Sequence, residues 1–204
     1  CPTQKIAKAE VTGSIYRIRR TAAPRLDDPW GERFDWPSLP PVRLIALLGN
    51  ARAKVSARAA EELVKRGGAA VPALASFARG SSTAESLARR EAVYALSRIS
   101  TPDARSAVRT ALGHQDTDTR EVALHCVSVE RDAAALPALM RMVAADDAPH
   151  RMIAAEALGR LGKPEAVKPL LDSLRRGASD PFLEHSLIYA LIRISAFDAT
   201  LVAL

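Results

Sequence analysis

Ala154 to Leu174 reads A-A-E-A-L-G-R-L-G-K-P-E-A-V-K-P-L-L-D-S-L, and this stretch decides the fold. It spells one helix ending at Gly162, a break at Lys163 and Pro164, and a second helix with Pro169 in its first turns. Copies recur on both sides. Aligned on the last large apolar residue of the first helix, the copies place Leu63, Leu96, Cys126, Leu158 and Leu191 in register, with spacings of 33, 30, 32 and 33 residues. A period of this size marks a solenoid, because one amphipathic helix pair cannot bury its apolar face without a stacked neighbour. The sequence predicts an all-α, right-handed superhelix of five pairs and a partial sixth over 38–204, preceded by an extended arm and aromatic cap over 1–37.

The pairs are Val42–Leu48 with Val55–Arg66, Ala69–Arg79 with Glu85–Ile99, Pro102–Leu112 with Thr119–Val129, Ala133–Ala145 with Pro149–Leu161, and Pro164–Arg176 with Pro181–Ile194. Asp198–Leu204 begins a sixth. Apolar residues at three- and four-residue intervals, such as Val93, Leu96 and Ile99 or Leu187, Leu191 and Ile194, give each pair its core stripe.

The core A-A-x-A-L-G-x-L-G followed by x-A-V-x-P-L-L resembles the short bacterial HEAT repeat of the PBS-lyase type, from about Pro41 to the C-terminus. That resemblance implies an interaction scaffold, with nucleic-acid binders and enzymes as rarer members.

Composition sets further bounds. Apolar residues make up 48% of 204 but aromatics only 4%, so the core relies on small residues that let helices approach closely. No run of eighteen apolar residues occurs, and no membrane span is expected. The formal charge of +6 keeps anionic partners open. Cys126 falls where other copies carry leucine and reads as a small buried hydrophobe. The chain begins with Cys1 rather than Met and reads as a piece of something larger.

Val11 to Arg20, V-T-G-S-I-Y-R-I-R-R, is β-branched and alternating, and reads as a short strand or arm. Trp30, Phe34 and Trp36 crowd the connector that follows, and are expected to fold back over the first pair. The run C-P-T-Q-K-I-A-K-A-E-V-T-G-S-I-Y-R-I-R-R, then D-D-P-W-G, resembles the junction in large bacterial haem-binding dehydrogenases, where a β-propeller precedes HEAT repeats and a c-type cytochrome domain. The resemblance implies export to the periplasm. This chain contains no C-x-x-C-H, so no haem or other cofactor is assigned to it.

Three features bear on function. An acid stands four residues before an arginine in Glu85/Arg89, Asp116/Arg120 and Asp147/Arg151, a spacing at which both side chains of one helix meet; the reading is structural. The series stops at Glu184, which follows Asp180 where an arginine would stand. Two residues after each anchor come Lys65, Arg98, Ser128, Arg160 and Arg193, a basic ridge of Lys65, Arg98, Arg160 and Arg193 that either satisfies helix dipoles or meets an anionic partner. Two residues before each anchor come Glu61, Tyr94, Leu124, Glu156 and Tyr189, whose varied chemistry suits a recognition face.

Catalytic patterns are weak. His114, His125, His150 and His185 include no His-Glu dipeptide of the kind that HEAT-like deoxyhypusine hydroxylases repeat to hold iron, so no metal is assigned. There is no G-x-S-x-G or phosphate loop, and the adjacent His125 and Cys126 point about 100° apart on a helix. The expectation is a noncatalytic module that docks a protein segment or neighbouring domains of a parent protein, with a nucleic-acid-binding array on the basic ridge as the alternative.

Overall fold

The computed structural model describes residues 26–145, 147–176 and 180–203, together with Tyr16. The strand expected at Val11 to Arg20 lies outside these, apart from Tyr16, which belongs to no regular element. The described residues form helices and turns only. In chain order they are α1 Pro41–Leu47, α2 Ala53–Lys65, α3 Val71–Ala78, α4 Ser86–Ser97, α5 Pro102–Ala111, α6 Thr117–Val129, α7 Leu136–Ala145, α8 Ala148–Leu161, α9 Val167–Arg175, α10 Pro181–Ile194 and α11 Phe197–Ala203. Short 3-10 turns at Gly67–Ala70, Thr83–Glu85, Ala133–Ala135 and Pro164–Ala166 lead into α3, α4, α7 and α9.

Punctuation follows the chemistry of helix ends. Proline occupies the first turn of α1, α3, α5, α8 and α10, where its missing N–H costs nothing. The Asp147 carboxylate accepts from the His150 N–H, Thr101 caps Ala104 and Asp180 caps Phe182. Gly162 ends α8 in the left-handed region at φ 64°.

The helices stack in two layers. The second helices form an unbroken row in which α2 meets α4, α4 meets α6, α6 meets α8, and α8 meets α10. The first helices form the other layer, with α1 on α3, α3 on α5, α7 on α9 and α9 on α11. This is the α-α superhelix that the period implies, and a continuous apolar core runs between the layers.

One register in the sequence reading needs correction. The second helices begin after Arg52, Glu85, Asp116, Asp147 and Asp180. Counting from those caps, the residue in line with Leu63, Leu96, Leu158 and Leu191 is Val127, not Cys126, so the period is 33, 31, 31 and 33. Cys126 instead shares a row with Ala95, Ala157 and Ala190, all of them buried. The thiol stands in for a methyl group where helices pass closely. Burial pushes its titration above the ordinary thiol range, outweighing a hydrogen bond with Ser97. It is therefore a poor nucleophile.

Another row, Ala59, Ala92, Ala123, Ala154 and Leu187, is fully buried throughout. The four alanines of this row help set the distance between successive second helices. At Gly159 the helices come so near that an added Cβ would stand 3.0 Å from the Ala190 Cα and 3.3 Å from its Cβ. Because the obstacle is backbone, Gly159→Val must push α8 and α10 apart. A loss of about 1–3 kcal/mol is expected in urea denaturation.

The connector covers the first pair. Trp36 is 2% exposed, and its indole N–H donates to the Gly31 carbonyl at 2.8 Å. Phe34 packs against it with ring centroids 5.1 Å apart, while Trp30 stays 56% exposed under Lys54.

The acid and arginine pairs hold the layers in file, but not as the sequence spacing suggested. Instead of closing on the acid of its own helix, Arg89 reaches Asp116 of the next pair at 3.0 Å, and Arg120 lies 3.9 Å from Asp147 of the pair after that. Each guanidinium also binds carbonyls in the turn before its own helix: Ser82 for Arg89, and His114 and Gln115 for Arg120. Arg151 continues the pattern to Val143 but ends on the Ser173 hydroxyl at 2.6 Å. The reason is reach: a long side chain satisfies the turn carbonyls first, and these face the neighbouring cap.

Candidate interaction face

Each second helix turns one edge of its surface away from both its own first helix and its stacked neighbours. Nine residues after each cap, that edge carries Glu61, Tyr94, His125, Glu156 and Tyr189, all exposed. Leu124, expected in this row, is fully buried and shares its register with Ala60, Val93 and Ala155. The displaced member is His125, missed because the third copy was aligned one residue early. Four residues further on stand Lys65, Arg98, Val129, Arg160 and Arg193, likewise exposed, so Val129 rather than Ser128 occupies the gap in the ridge. Both rows therefore run along one face, one helical turn apart.

The rows converge in two grooves. The first, of about 390 Å³, lies where the C-terminal ends of α6, α8 and α10 meet, lined by Val129, Arg131, Glu156, Arg160, Tyr189 and Arg193. Four of the sequence-derived candidates, Glu156, Arg160, Tyr189 and Arg193, thus share one cavity. Glu156 pairs with Arg160 at 2.5 Å, one turn along the same helix. Tyr189 is 48% exposed and stacks with His185 at 6.3 Å. The second groove, of about 320 Å³, lies between α4 and α6, lined by Leu87, Arg90, Glu91, Tyr94, Asp118 and Glu121. Glu61 and Lys65 lie away from both, and Lys65 pairs with Glu62 at 2.7 Å.

The electrostatics of the two grooves differ. Burial, then the Cys126 thiol and the carboxylates of Glu91 and Glu121, hold the Tyr94 phenol above its usual range. At the opposite edge, Asp116 is pushed up by burial but brought below the usual carboxylate range by the Ser86 and Thr119 hydroxyls, the Asp118 N–H and Arg89. Asp147 is lowered by its bond with His150, whose ring spans Asp147 at 2.6 Å and the Thr117 carbonyl at 3.1 Å. Both carboxylates are depressed on folding, so their stabilisation is complete above the unfolded value of about 4 and is lost as pH falls through the lower folded values. Acid titration of thermal stability should therefore fall steeply below about pH 4, and Asp116→Asn should flatten that fall while lowering stability at neutral pH. An unchanged acid limb would show that the Asp116 carboxylate contributes nothing.

Among the described residues, no group of three or more His, Cys, Asp or Glu side chains is placed to hold a metal ion, and no helix is long and apolar enough to cross a membrane.

Comparison with known proteins agrees with this architecture. The structure is similar to the complex of CpcE and CpcF of phycocyanin lyase from Nostoc sp. PCC7120, with a TM-score of 0.56 and 20% identity over 90% of this chain and 70% of that one. It is also similar to human deoxyhypusine hydroxylase in complex with glycerol, with a TM-score of 0.53 and 18% identity over 76% of this chain and 62% of that one. At such identities the likeness shows the fold alone. No curated protein matches the chain. The model of HEAT repeats matches residues 41–128 and 110–192, spanning most of the stacked pairs, and the chain belongs to the HEAT-repeat family.

Proposed function

We propose that the chain is a noncatalytic interaction module that docks a protein segment, or a neighbouring domain of a longer protein, on the exposed edge of its second helices. The observation that supports this most is the row of Glu61, Tyr94, His125, Glu156 and Tyr189, solvent-facing and chemically varied on helices whose buried rows are nearly uniform. Packing constrains the buried rows to apolar residues, whereas nothing in the fold requires tyrosine at two exposed positions. A photo-crosslinking residue at position 94 or 189, introduced in the source cell, should capture a protein that the same residue at position 75 of the first-helix layer does not. Equal capture from both layers would overturn the reading.

In this reading, residues 1–37 join the repeats to a preceding domain and 38–204 form the solenoid. The parent protein is of the propeller, HEAT and cytochrome type that the N-terminal run resembles, which would place the module in the periplasm. The reading frame around the gene tests this: a propeller before Cys1 and a C-x-x-C-H after Leu204 are expected, and a frame with neither removes the assignment. Nucleic acid on the basic ridge is the competing occupant; duplex DNA binding that weakens steeply with salt would favour it.

A further inference from the structure

The two grooves carry opposite charge. Around the α6/α8/α10 groove stand Arg131, Arg160 and Arg193 against the one carboxylate of Glu156. Around the α4/α6 groove stand Glu91, Asp118 and Glu121 against the one guanidinium of Arg90, which is already paired with Asp118 at 3.3 Å. Each groove holds an exposed tyrosine at the same position of its helix, Tyr94 in one and Tyr189 in the other. Resting on the scaffold reading above, we propose that this face binds an extended polypeptide segment with an acidic end and a basic end, the acidic end lying in the α6/α8/α10 groove and the basic end in the α4/α6 groove.

A separate observation concerns Arg131. Counted from the caps, the same position at the C-terminal end of the second helices takes the left-handed conformation in four of the five: Gly67 at φ 56°, Arg131 at φ 49°, Gly162 at φ 64° and Ser195 at φ 51°. Glycine is the residue that accepts this conformation without steric cost, and it stands in two of these places. Arg131 and Ser195 are both strained there, and strain retained at a charged residue of a repeated turn points to a function for its side chain. That side chain lines the basic groove. Arg193 and Arg131 also make no ion pair among the described residues, so their charge is available to a ligand.

The charge pattern selects the class of partner. A nucleic acid is a polyanion along its whole length, so a strand crossing this face would set phosphates against Glu91, Asp118 and Glu121. A segment of mixed charge meets complementary groups at both ends. Both grooves touch α6, and from the α4/α6 seam to the α8/α10 seam is two second-helix spacings, about 16–20 Å at the usual packing distance. Extended chain covers that with about six residues. The tyrosines supply rigid apolar contact beside each charged anchor.

The test is a displayed library of random twelve-residue peptides selected on the 204-residue chain. Bound sequences should be enriched in Lys and Arg at one end and in Asp and Glu about six residues away. Selection on Arg160→Glu/Arg193→Glu should lose the acidic enrichment and keep the basic one. A synthetic peptide of the selected type should bind the double variant at least tenfold more weakly. Arg131→Gly should raise Tm and yet weaken that peptide several-fold, a combination that a purely structural arginine would not give. All three substituted residues are exposed, and circular dichroism confirms that the variants fold. Enriched peptides without this charge order would overturn the inference and leave the scaffold reading standing. Single-stranded DNA of twelve nucleotides binding as tightly as the best peptide would overturn it in favour of nucleic acid. Failure to enrich any peptide over an unrelated target would also overturn it, while the crosslinking experiment continues to decide the broader reading.

Discussion

Trp36→Ala should cost about 3–5 kcal/mol, the usual range for truncating a buried tryptophan. The indole fills the space between the connector and α2 and is 2% exposed. Its N–H donates to the Gly31 carbonyl, and Gly31 itself sits at φ 69°, where a Cβ would come within 2.8 Å of the indole. Arg58 lies over the ring at 5.0 Å and Phe34 packs beside it. Truncation removes all of these contacts together and exposes the outer side of the first pair. Each pair touches only its neighbours, so the loss should be local. Hydrogen exchange should show α1 and α2 opening first, with α8 and α10 unaffected. A change below about 1 kcal/mol, or opening spread evenly along the chain, would contradict the cap's role.

Arg89→Ala is expected to cost about 3 kcal/mol. Arg89 is 1% exposed, and it is the largest fully buried side chain in the core. Its guanidinium joins the Ser82 carbonyl to Asp116, and Asp116 in turn accepts from the hydroxyls of Ser86 and Thr119, both at 2.7 Å. Three side chains, Ser86 and Arg89 of α4 and Thr119 of α6, meet at one carboxylate. The Asp116 side chain is 25% exposed, and water that reaches it holds the loss near the low end of the range for a broken buried pair. Arg89→Met preserves volume and separates the packing contribution from the ionic one. In a double-mutant cycle with Asp116→Asn, the two changes should be strongly non-additive, by about 1 kcal/mol or more. Additive losses would mean that the guanidinium acts through packing alone.

The period was legible from Leu63, Leu96, Leu158 and Leu191 because those leucines fill the same interior place in successive pairs. The error in the third copy has a physical origin. Cys126 is large enough to read as an anchor, but in the structure it fills a place held by alanine in α4, α8 and α10, and Val127 takes the leucine's place. The signal that fixes the register was present in polar residues: Glu85/Arg89, Asp116/Arg120 and Asp147/Arg151 recur at 31 and 31 residues. These pairs are a firmer ruler than apolar residues, since a core accepts several shapes while each arginine must meet the carbonyls that precede its own helix. Cys126→Ala, matching Ala95, Ala157 and Ala190, is accordingly expected to change stability by less than about 1 kcal/mol.

The candidate face was legible only in part. Glu156, Arg160, Tyr189 and Arg193 could be placed on one edge from helical spacing. Their meeting in one groove with Arg131 depends on how far α8 slides against α10, which Gly159 and Ala190 determine. The link from Arg89 to Asp116 was hidden for a similar reason. Spacing along one helix ranks partners within that helix, whereas burial and the neighbouring turn decide which partner is taken.

The claim on which the rest depends is that positions 61, 94, 125, 156 and 189 stand in file on one exposed edge of stacked second helices. Spin labels attached in pairs to cysteines introduced at these positions, in a chain carrying Cys1→Ser and Cys126→Ala, measure it directly. Distances should grow in nearly equal steps of about 8–10 Å per helix, reaching about 24–30 Å between 94 and 189. A label at 125 should be mobile, and one at 124 immobile. Unequal steps, or a mobile label at 124 with an immobile one at 125, would contradict the stacking and the face together.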